Sequence, residues 1–562
     1  MNRRDFLQVA AAAATVLGVG PGGLARAATA QGITQADLLK FPAKGNVTLL
    51  HVTDIHGQLR PVHFREPSIN LGVGEAAGLP PHITGKDFLK AFDIKAGSPE
   101  AFALTTEDYV ALARQYGRVG GLDRLATLVK AIRAERGDKV LLLDGGDSLQ
   151  GSWGALQTKG GDMARALKAL GVEGSTGHWE FTYGKDRVPG LIEELGCPFL
   201  ACNVKDTEWE ENVFDGTHMY ERGGVKIAVV GQAFPYTPVA NPRWLMPNWS
   251  FGIREETIRE QVDAARAAGA QLVVLLSHNG FDVDRKVASR VEGIDVILTG
   301  HTHDALPVAV KVGKTLLIAS GSHGKFLSRL DLDVRDGQVK DFSYRIIPVF
   351  ADAIAPDPEM AKLVADLRAP YAAEYARVVG ETDGLLFRRG NFNGTWDDLI
   401  CEALLAERDA EIALSPGFRW GTSLLPGEKI TMEDVWNQTA ITYPAAYRME
   451  MSGQMLKDIL EDVADNLFNP DPYYQQGGDM VRVGGMGYTI DIAKPIGSRI
   501  GGMTHLKSGK PIDPARNYVV AGWASVNEAT AGPPIWDIVS AHIGKRKVVT
   551  VKDNQSVRIV GA

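Results

Sequence analysis

"NVTLLHVTDIHG", residues 46–57, joins a short apolar segment to an aspartate and a histidine. The segment has the length and composition of a buried β-strand. Similar segments recur along the chain: "KVLLLDGG" (139–146), "VKIAVVGQ" (225–232), "QLVVLLSH" (271–278), "IDVILTGH" (294–301) and "TLLIASGS" (315–322). Amphipathic helices separate them, as in residues 120–137, where Leu122, Leu125 and Val129 recur at helical spacing. We therefore predict an α/β fold in which a β-sandwich is covered by helices.

The length of the chain, 562 residues, allows two or three domains. We predict the α/β sandwich over residues 44–350, a linker helix over residues 351–378 and a smaller C-terminal α/β domain over residues 379–562. Residues 58–118 interrupt the alternation between the first strand and the first helix. Because an excursion of this length is usually functional or mobile, we interpret it as a rim or docking segment.

The composition is that of an ordinary globular protein, with 45% hydrophobic and 23% charged residues. A net charge of −8 argues against nucleic acid or an acidic membrane as the partner. The three cysteines are too few for a disulfide framework. Cys197 and Cys202 have two interpretations, a disulfide with each other or a reduced, buried state.

The N-terminal segment indicates export. "NRRDFLQ" (2–8) is followed by the apolar run "VAAAAATVLGVG" (9–20) and by the small residues of "LARAATA" (24–30). Twin arginines before an apolar run and an Ala-x-Ala site are typical of a Tat signal, with a short core helix as the alternative. We expect a signal over residues 1–28 and a periplasmic protein. No later segment is apolar for long enough to predict a membrane span.

Carboxylate and imidazole side chains follow the predicted strands in five short motifs. They are Asp54 and His56 in "TDIHG", Asp147 in "DGGDS", His178 in "GHWE", His278 in "SHNG", and His301 and His303 in "GHTH". In α/β sheets, functional groups gather beyond the carboxyl ends of the strands. Oxygen and nitrogen donors of this kind suit divalent manganese, zinc or iron, and seven ligands suffice for two such ions with one bridging carboxylate.

Among the remaining histidines, four have no partner motif and we assign them no function: His63, His82, His218 and His542.

The five motifs, in this order, resemble the calcineurin-like dinuclear metallophosphoesterases. The resemblance is greatest to the 5′-nucleotidase branch, in which a C-terminal substrate-binding domain follows. It implies that Asp54, His56 and His303 bind one metal ion, while His178, His278 and His301 bind the other. Asp147 would bridge both ions, and a hydroxide bridging the two ions would be the nucleophile. Arg124 would have a structural role near the metal layer.

One motif departs from the nucleotidase pattern. Nucleotidases usually carry "GNHEFDYG", and the matching stretch here is "GHWEFTYG" (177–184). The resemblance therefore puts His178 in the place of a ligand asparagine. Trp179 takes the place of the histidine that protonates the leaving group, and indole cannot supply that proton. We assign no side-chain general acid and expect a leaving group that departs as a stable anion.

Three stretches together resemble the SoxB family of bacterial thiosulfohydrolases: residues 51–74, residues 177–184 and "SPGFRWGTSLLPG" (415–427). The resemblance implies hydrolysis of a cysteine S-thiosulfonate on a carrier protein, releasing sulfate and leaving a persulfide on the carrier. It also implies two Mn²⁺ ions, a SoxYZ-like carrier as partner, and neither nucleic acid nor membrane.

The second domain would supply the substrate contacts. Arg419, in a Gly/Pro loop, is our candidate for the anionic group, with a surface salt bridge as the alternative. Trp179 is a candidate for the wall of a narrow channel, and so are Tyr488 and two further tyrosines of the same glycine-rich segment, Tyr473 and Tyr474. Two other functions stay open: a periplasmic phosphoesterase of the 5′-nucleotidase type, and a non-catalytic metal-binding protein retained for docking.

Overall fold

The computed structural model describes residues 33–528, 530–552 and 556–560. The predicted Tat signal at residues 1–28 lies outside this part of the chain. None of the helices within it has the length and apolar character of a transmembrane span.

Two sheets form the centre of the N-terminal domain. The first sheet has the strand order Gln338–Pro348, Phe326–Arg335, Val47–Val52, Val140–Asp144 and Gly174–Ser175. The second sheet has the order Val310–Val312, Thr315–Ala319, Val296–Thr299, Leu272–Ser277, Val225–Gln232 and Thr217–Arg222. A small ribbon, Lys205–Asp206 with Trp249–Ser250, lies apart from them.

The two sheets pack face to face. Val47 and Leu49 of the first sheet share one buried cluster with Val229 and Val274 of the second. The alternate residues Leu50 and Val52 face the other way, into a cluster formed with helices. Because both faces of these strands are buried, their sequences are apolar without interruption. The structure confirms the predicted helix-covered sandwich.

Helices cover both sheets. Those of the N-terminal domain are Gln35–Leu39, Gly85–Ala91, Pro99–Leu104, Tyr109–Tyr116, Leu122–Arg136, Trp153–Thr158, Gly161–Leu170, Val188–Leu195, Thr237–Ala240, Glu255–Ala267 and Phe281–Arg290. Those that follow are Pro358–Arg368, Ala372–Tyr375, Thr395–Glu407, Met432–Thr439, Gly453–Phe468 and Ile535–Arg546.

The linker predicted over residues 351–378 contains two helical pieces rather than one helix. The first begins after Asp357, whose side chain accepts the backbone N–H of Met360. It ends at Arg368, just before Pro370, which lies in a short 3₁₀ turn. A proline inside a helix removes a backbone hydrogen bond, so the helix is interrupted there.

In the described part of the C-terminal domain, the strands form three small sheets. The first has the strand order Lys429–Thr431, Val378–Thr382 and Val548–Val549. The second has the order Ala446–Ser452, Asn517–Trp523, Ile412–Ser415 and Arg482–Gly484. The third has the order Lys510–Pro511, Ile500–His505, Met486–Ile490 and Val557–Ile559. Parallel and antiparallel pairs both occur, as in the strand Ile412–Ser415, which is parallel to Asn517–Trp523 and antiparallel to Arg482–Gly484. The domain is thus a mixed α/β unit.

The excursion at residues 58–118 contacts both domains. Its Glu66 forms a buried ion pair of 2.7 Å with Lys325 of the sandwich. Leu71 packs against the core of the C-terminal domain, and its backbone N–H donates to Asn391 Oδ1 at 2.7 Å. The excursion therefore links the two domains beside the carboxyl ends of the sandwich strands.

Candidate metal centre

The seven predicted ligands converge where the strands of the two sheets end. They form two buried groups that share Asp147: Asp54, His56, Asp147 and His303 in the first group, and Asp147, His178, His278 and His301 in the second. Within each group the potential ligand atoms all lie within 4.8 Å of one another. This is the division that the metallophosphoesterase resemblance implies.

The convergence depends on an unusual backbone conformation. Five of the seven residues have positive φ: Asp54 (52°), His56 (50°), Asp147 (55°), His301 (72°) and His303 (58°). Non-glycine residues rarely adopt this left-handed conformation, and it is concentrated at functional sites. Here it turns the chain sharply at the strand ends, so that successive polar side chains enter one small volume.

Asp147 occupies the centre of the cluster. Its Oδ2 atom lies 3.0 Å from His278 Nε2 in the second group and 3.9 Å from His56 Nε2 in the first. Its Oδ1 atom accepts a hydrogen bond of 2.7 Å from the backbone N–H of Trp179. One oxygen is therefore held by the backbone while the other faces both groups, which is the geometry that a bridging carboxylate requires.

The first group is equally compact. Asp54 Oδ1 lies 3.1 Å from His303 Nε2, and the Nε2 atoms of His56 and His303 are 3.0 Å apart. Burial raises the pKa of Asp54 to about 8 and lowers the pKa of His56 to about 4. Neutral imidazole is the form that binds a metal, and a cation would favour the ionised form of Asp54. The donors fit a divalent first-row metal ion.

Surrounding groups fix the ligand orientations. His278 Nδ1 lies 2.6 Å from the carbonyl oxygen of Gly145, so Nδ1 donates and Nε2 faces the two carboxylates. The ring of Phe234 packs against both His178 and His301, with centroid distances of 4.1 Å in each case.

Glu180 organises the loops that carry Asp147 and His178. Its buried carboxylate accepts backbone N–H groups from Asp147 (3.2 Å), Ser148 (3.0 Å), Leu149 (3.2 Å) and His178 (2.8 Å). The quoted motif "GHWE" contains this residue, but the motif gives no sign that its carboxylate binds backbone rather than metal.

We expect Glu180→Gln to weaken Mn²⁺ binding about 10–100-fold, the usual effect of losing a group that orients metal ligands. A glutamine amide would direct its NH₂ group at backbone donors, leaving some of them unsatisfied. Competition with a fluorescent chelator measures the affinity. The exposed Glu359→Gln serves as control, and equal affinities in the two variants would contradict this role.

A cavity of about 250 Å³ opens over both groups. Trp179 lies in its wall, buried, with its indole edge-to-face against Phe418 (5.5 Å between centroids) and Trp420 (4.9 Å). Phe234 and Tyr236 of the sandwich domain also line it. Several of the predicted ligands therefore lie in the wall of a cavity to which five aromatic side chains contribute: Trp179, Phe234, Tyr236, Phe418 and Trp420.

Arg419 reaches this cavity from the C-terminal domain, with only 11% of its side chain exposed. Its guanidinium donates to the carbonyl oxygen of Gly478, and its Nε lies 3.6 Å from Asp479 Oδ1. Arg419 is therefore not in a surface salt bridge, the alternative interpretation of its loop.

Tyr488 does not line the cavity, and its assignment as a substrate contact is wrong. It lies on the strand Met486–Ile490 with 2% of its surface exposed, packed in the core of the C-terminal domain. Strand alternation directs it inward. Tyr474 is exposed, and the Tyr473 hydroxyl donates to Glu255 at 2.8 Å.

Arg124 pairs with Asp123 on the helix Leu122–Arg136, in the structural role expected.

His323 is a neighbour of the cluster that the sequence analysis missed. It follows the strand Thr315–Ala319 and has a positive φ of 58°, as several ligands do. Its ring stacks on Phe64 at 3.9 Å, and its Nδ1 lies 2.8 Å from Ser322 Oγ. It belongs to neither group of ligands.

The cysteines Cys197, Cys202 and Cys401 are all free, so Cys197 and Cys202 do not form a disulfide with each other.

Comparison with known proteins identifies both domains. The calcineurin-like phosphoesterase model matches residues 47–305, and the 5′-nucleotidase C-terminal domain model matches residues 378–532. The solved structure of Thermus thermophilus sulfate thiohydrolase SoxB is 35% identical, with a TM-score of 0.90 over 93% of this chain and 98% of that one.

More distant relatives share the same organisation. A 5′-nucleotidase precursor, also from Thermus thermophilus, has 20% identity and a TM-score of 0.73, over 92% of this chain and 100% of that chain. The curated 5′-nucleotidase of Bos taurus is 24% identical over 445 residues, which is 70% of this chain and 74% of that protein.

Proposed function

Because the chain belongs to the SoxB family, we propose that it hydrolyses a cysteine S-thiosulfonate on a carrier protein. Water adds to the terminal sulfonate sulfur, and the bond between that sulfur and its neighbour breaks. The carrier S–S–SO₃⁻ group and one water give a carrier persulfide anion, sulfate and two protons, with no change in the overall redox state.

The observation that carries this proposal is Trp179 beside a complete two-metal ligand set. A phosphate ester expels an alkoxide, and a proton donor for it is worth about 10²–10⁴ in rate. Of the described residues that line the cavity, the histidines are all predicted ligands, and Asp479 is paired with arginines. The Tyr236 hydroxyl donates to a backbone carbonyl. A persulfide leaves as an anion without a proton, so it suits this cavity.

The seven ligands would hold the cofactor, which we propose to be two Mn²⁺ ions. When bound, a pair of divalent cations activates water near neutral pH and neutralises charge on the sulfonate oxygens. Asp147 would contribute to both metal positions, and its carboxylate is oriented by the backbone N–H of Trp179. Phe234 and Gly145 fix the imidazoles of the second group before substrate binds.

The protein also supplies a positive charge for the anionic substrate. Three arginines, the buried Arg388 and Arg482 and the partly buried Arg419, are joined to two aspartates, Asp397 and Asp479. Three guanidinium groups against two carboxylates leave one positive charge in excess. Of the three arginines, Arg419 lines the cavity, beside Asp479, so we propose that its guanidinium contacts the sulfonate there.

We expect Arg419→Gln to raise the KM for the thiosulfonated carrier about 10–100-fold, because a hydrogen bond to a charged group contributes roughly 1.5–3 kcal/mol. Steady-state sulfate release measures this, with the exposed Arg335→Gln as control. An unchanged KM, with two ions still bound, would remove Arg419 from the substrate site.

The partner and the compartment are part of the same proposal. A carrier that presents its modified cysteine on a thin arm, like SoxYZ, would reach the bottom of a cavity with aromatic walls. The twin-arginine segment supports Tat export of the folded, metal-loaded protein to the periplasm.

Two substrates distinguish the candidate functions. The 5′-nucleotidase C-terminal domain favours a nucleotidase as the second candidate. Purified protein loaded with Mn²⁺ is assayed for sulfate release from a thiosulfonated carrier and for phosphate release from AMP. We expect fast sulfate release and slow phosphate release. Phosphate release alone would indicate a nucleotidase, and neither product would indicate a non-catalytic docking protein.

A further inference from the structure

A loop of the C-terminal domain contacts one of the predicted metal ligands. The loop, residues 469–478, follows the helix Gly453–Phe468 and precedes the strand Arg482–Gly484. Near its end, the backbone carbonyl oxygen of Gln476 lies 2.9 Å from His301 Nε2. His301 belongs to the sandwich domain and to the second group of ligands. The contact therefore joins the second group to the other domain.

This contact determines which nitrogen of His301 can bind a metal ion. A carbonyl oxygen only accepts hydrogen bonds, so Nε2 must carry the hydrogen and Nδ1 keeps the lone pair. The ring of Phe234 stacks on the imidazole, with 4.1 Å between the centroids. Stacking limits the tilt of the imidazole, and the Gln476 carbonyl oxygen limits its rotation within the ring plane. Contacts of this kind commonly set the tautomer and orientation of metal-binding histidines.

The 469–478 loop approaches His301 so closely that position 477 requires glycine. Gly477 has a positive φ of 71°, and a Cβ atom on it would lie well inside van der Waals contact with His301 Nε2. The obstructing atom belongs to a ring that is stacked on Phe234 rather than to the free end of a flexible side chain. A side chain at position 477 would therefore displace either the imidazole or the loop.

Three side chains of the sandwich domain anchor the 469–478 loop. Lys286 Nζ lies 2.5 Å from Asp471 Oδ1 and 4.0 Å from the centre of the Tyr473 ring. The Tyr473 hydroxyl donates to Glu255 Oε2 at 2.8 Å, and its backbone carbonyl oxygen accepts the Tyr236 hydroxyl. Tyr473 is thus held by both its side chain and its backbone, just before the part of the loop that contacts the ligand.

We propose that the 469–478 loop is a positioning element of the metal centre, which orients His301 by docking on the sandwich domain and so raises the affinity of the second metal position. The inference rests on the proposed two-metal cofactor. The sandwich domain supplies the ligands of the second group, and the C-terminal domain holds one of them in place. Since the contacted ligand belongs to the second group only, displacing the loop weakens binding at the second position and not at the first.

Gly477→Ala in the full-length protein tests this role. We expect one of the two Mn²⁺ dissociation constants to rise about 10–100-fold, the usual effect of losing a group that orients a metal ligand, and the other to stay unchanged. Competition with a fluorescent chelator, without substrate, measures both constants. Gly509→Ala is the matched control, because Gly509 has a similar φ of 67° and no atom within 4 Å of its Cβ position.

Tyr473→Phe is a second variant, which tests the loop if Gly477→Ala folds poorly. It leaves every ligand and the glycine in place and removes only the hydroxyl that donates to Glu255. The weaker anchor should raise the same dissociation constant about 2–10-fold, the effect of losing one hydrogen bond. The exposed Tyr474→Phe is the control. Equal constants in these two tyrosine variants would show that docking of the loop does not affect the metal position.

Measuring binding without substrate keeps the two proposals apart. If the wild-type protein binds two ions but releases no sulfate, the proposed reaction is refuted, while a raised constant in Gly477→Ala still supports the role of the loop. Sulfate release by the wild-type protein, together with equal constants in Gly477→Ala and Gly509→Ala, would refute the role of the loop alone. Equal weakening of both ions in Gly477→Ala would refute it as well.

Discussion

Asp147→Ala should abolish binding of both metal ions and lower sulfate release by at least about 10³-fold. Both groups of ligands contain Asp147, and its Oδ2 lies 3.0 Å from His278 Nε2 in the second group and 3.9 Å from His56 Nε2 in the first. Removing it leaves three histidines in the second group, and an aspartate with two histidines in the first. Elemental analysis of the purified variant gives the number of ions bound per chain.

The control is a ligand that belongs to one group only. His303→Ala removes a ligand from the first group and leaves the second intact, so it should retain one ion per chain where Asp147→Ala retains none. If both variants keep one ion, Asp147 does not bridge, and the two metal positions are independent.

Trp179→His should raise the rate of phosphate release from p-nitrophenyl phosphate and AMP, by about 10²-fold for AMP. The imidazole would lie at the edge of the metal cluster, where nucleotidases carry a proton donor. Sulfate release should gain little, because a persulfide leaves without a proton. The AMP substrate is the more informative, since its leaving group is an alkoxide and nitrophenolate is already a stable anion.

The substitution also removes packing. The indole of Trp179 contacts Phe418 and Trp420, and a smaller ring leaves a void that costs about 1–3 kcal/mol. Trp179→Phe is therefore the matched control, since it makes a similar void without a titratable group. Equal AMP rates for the histidine and phenylalanine variants would mean that the missing acid does not determine substrate choice.

Most of what could be predicted about the fold and the ligands came from the apolar strands and from the residues that follow them. The apolar runs are unbroken because both faces of the sandwich strands are buried, as Leu49 and Leu50 illustrate by facing opposite clusters. Parallel pairing of Val47–Val52 with Val140–Asp144 brings the residues after both strands to one edge. Asp54 and Asp147 therefore meet in space although 93 positions separate them in sequence.

The features that could not be predicted depend on tertiary contacts, which no local sequence pattern encodes. Glu180 binds four backbone N–H groups, and Phe234 orients two imidazoles, through contacts that only the folded chain brings together. Tyr488 was misassigned because aromatic residues in a glycine-rich segment suggest a cleft, whereas strand alternation buries this one. His82 gained its partner Asp282 from a position 200 residues away.

Seven side chains are proposed to hold two cations, and both cations are needed for sulfate release. The most direct test is a Mn²⁺ titration of the metal-free protein, with sulfate release from the thiosulfonated carrier measured at each ratio of metal to chain. The rate should stay low until the second ion binds and reach its maximum at two ions per chain. Full activity at one ion per chain would contradict the requirement for two metal ions.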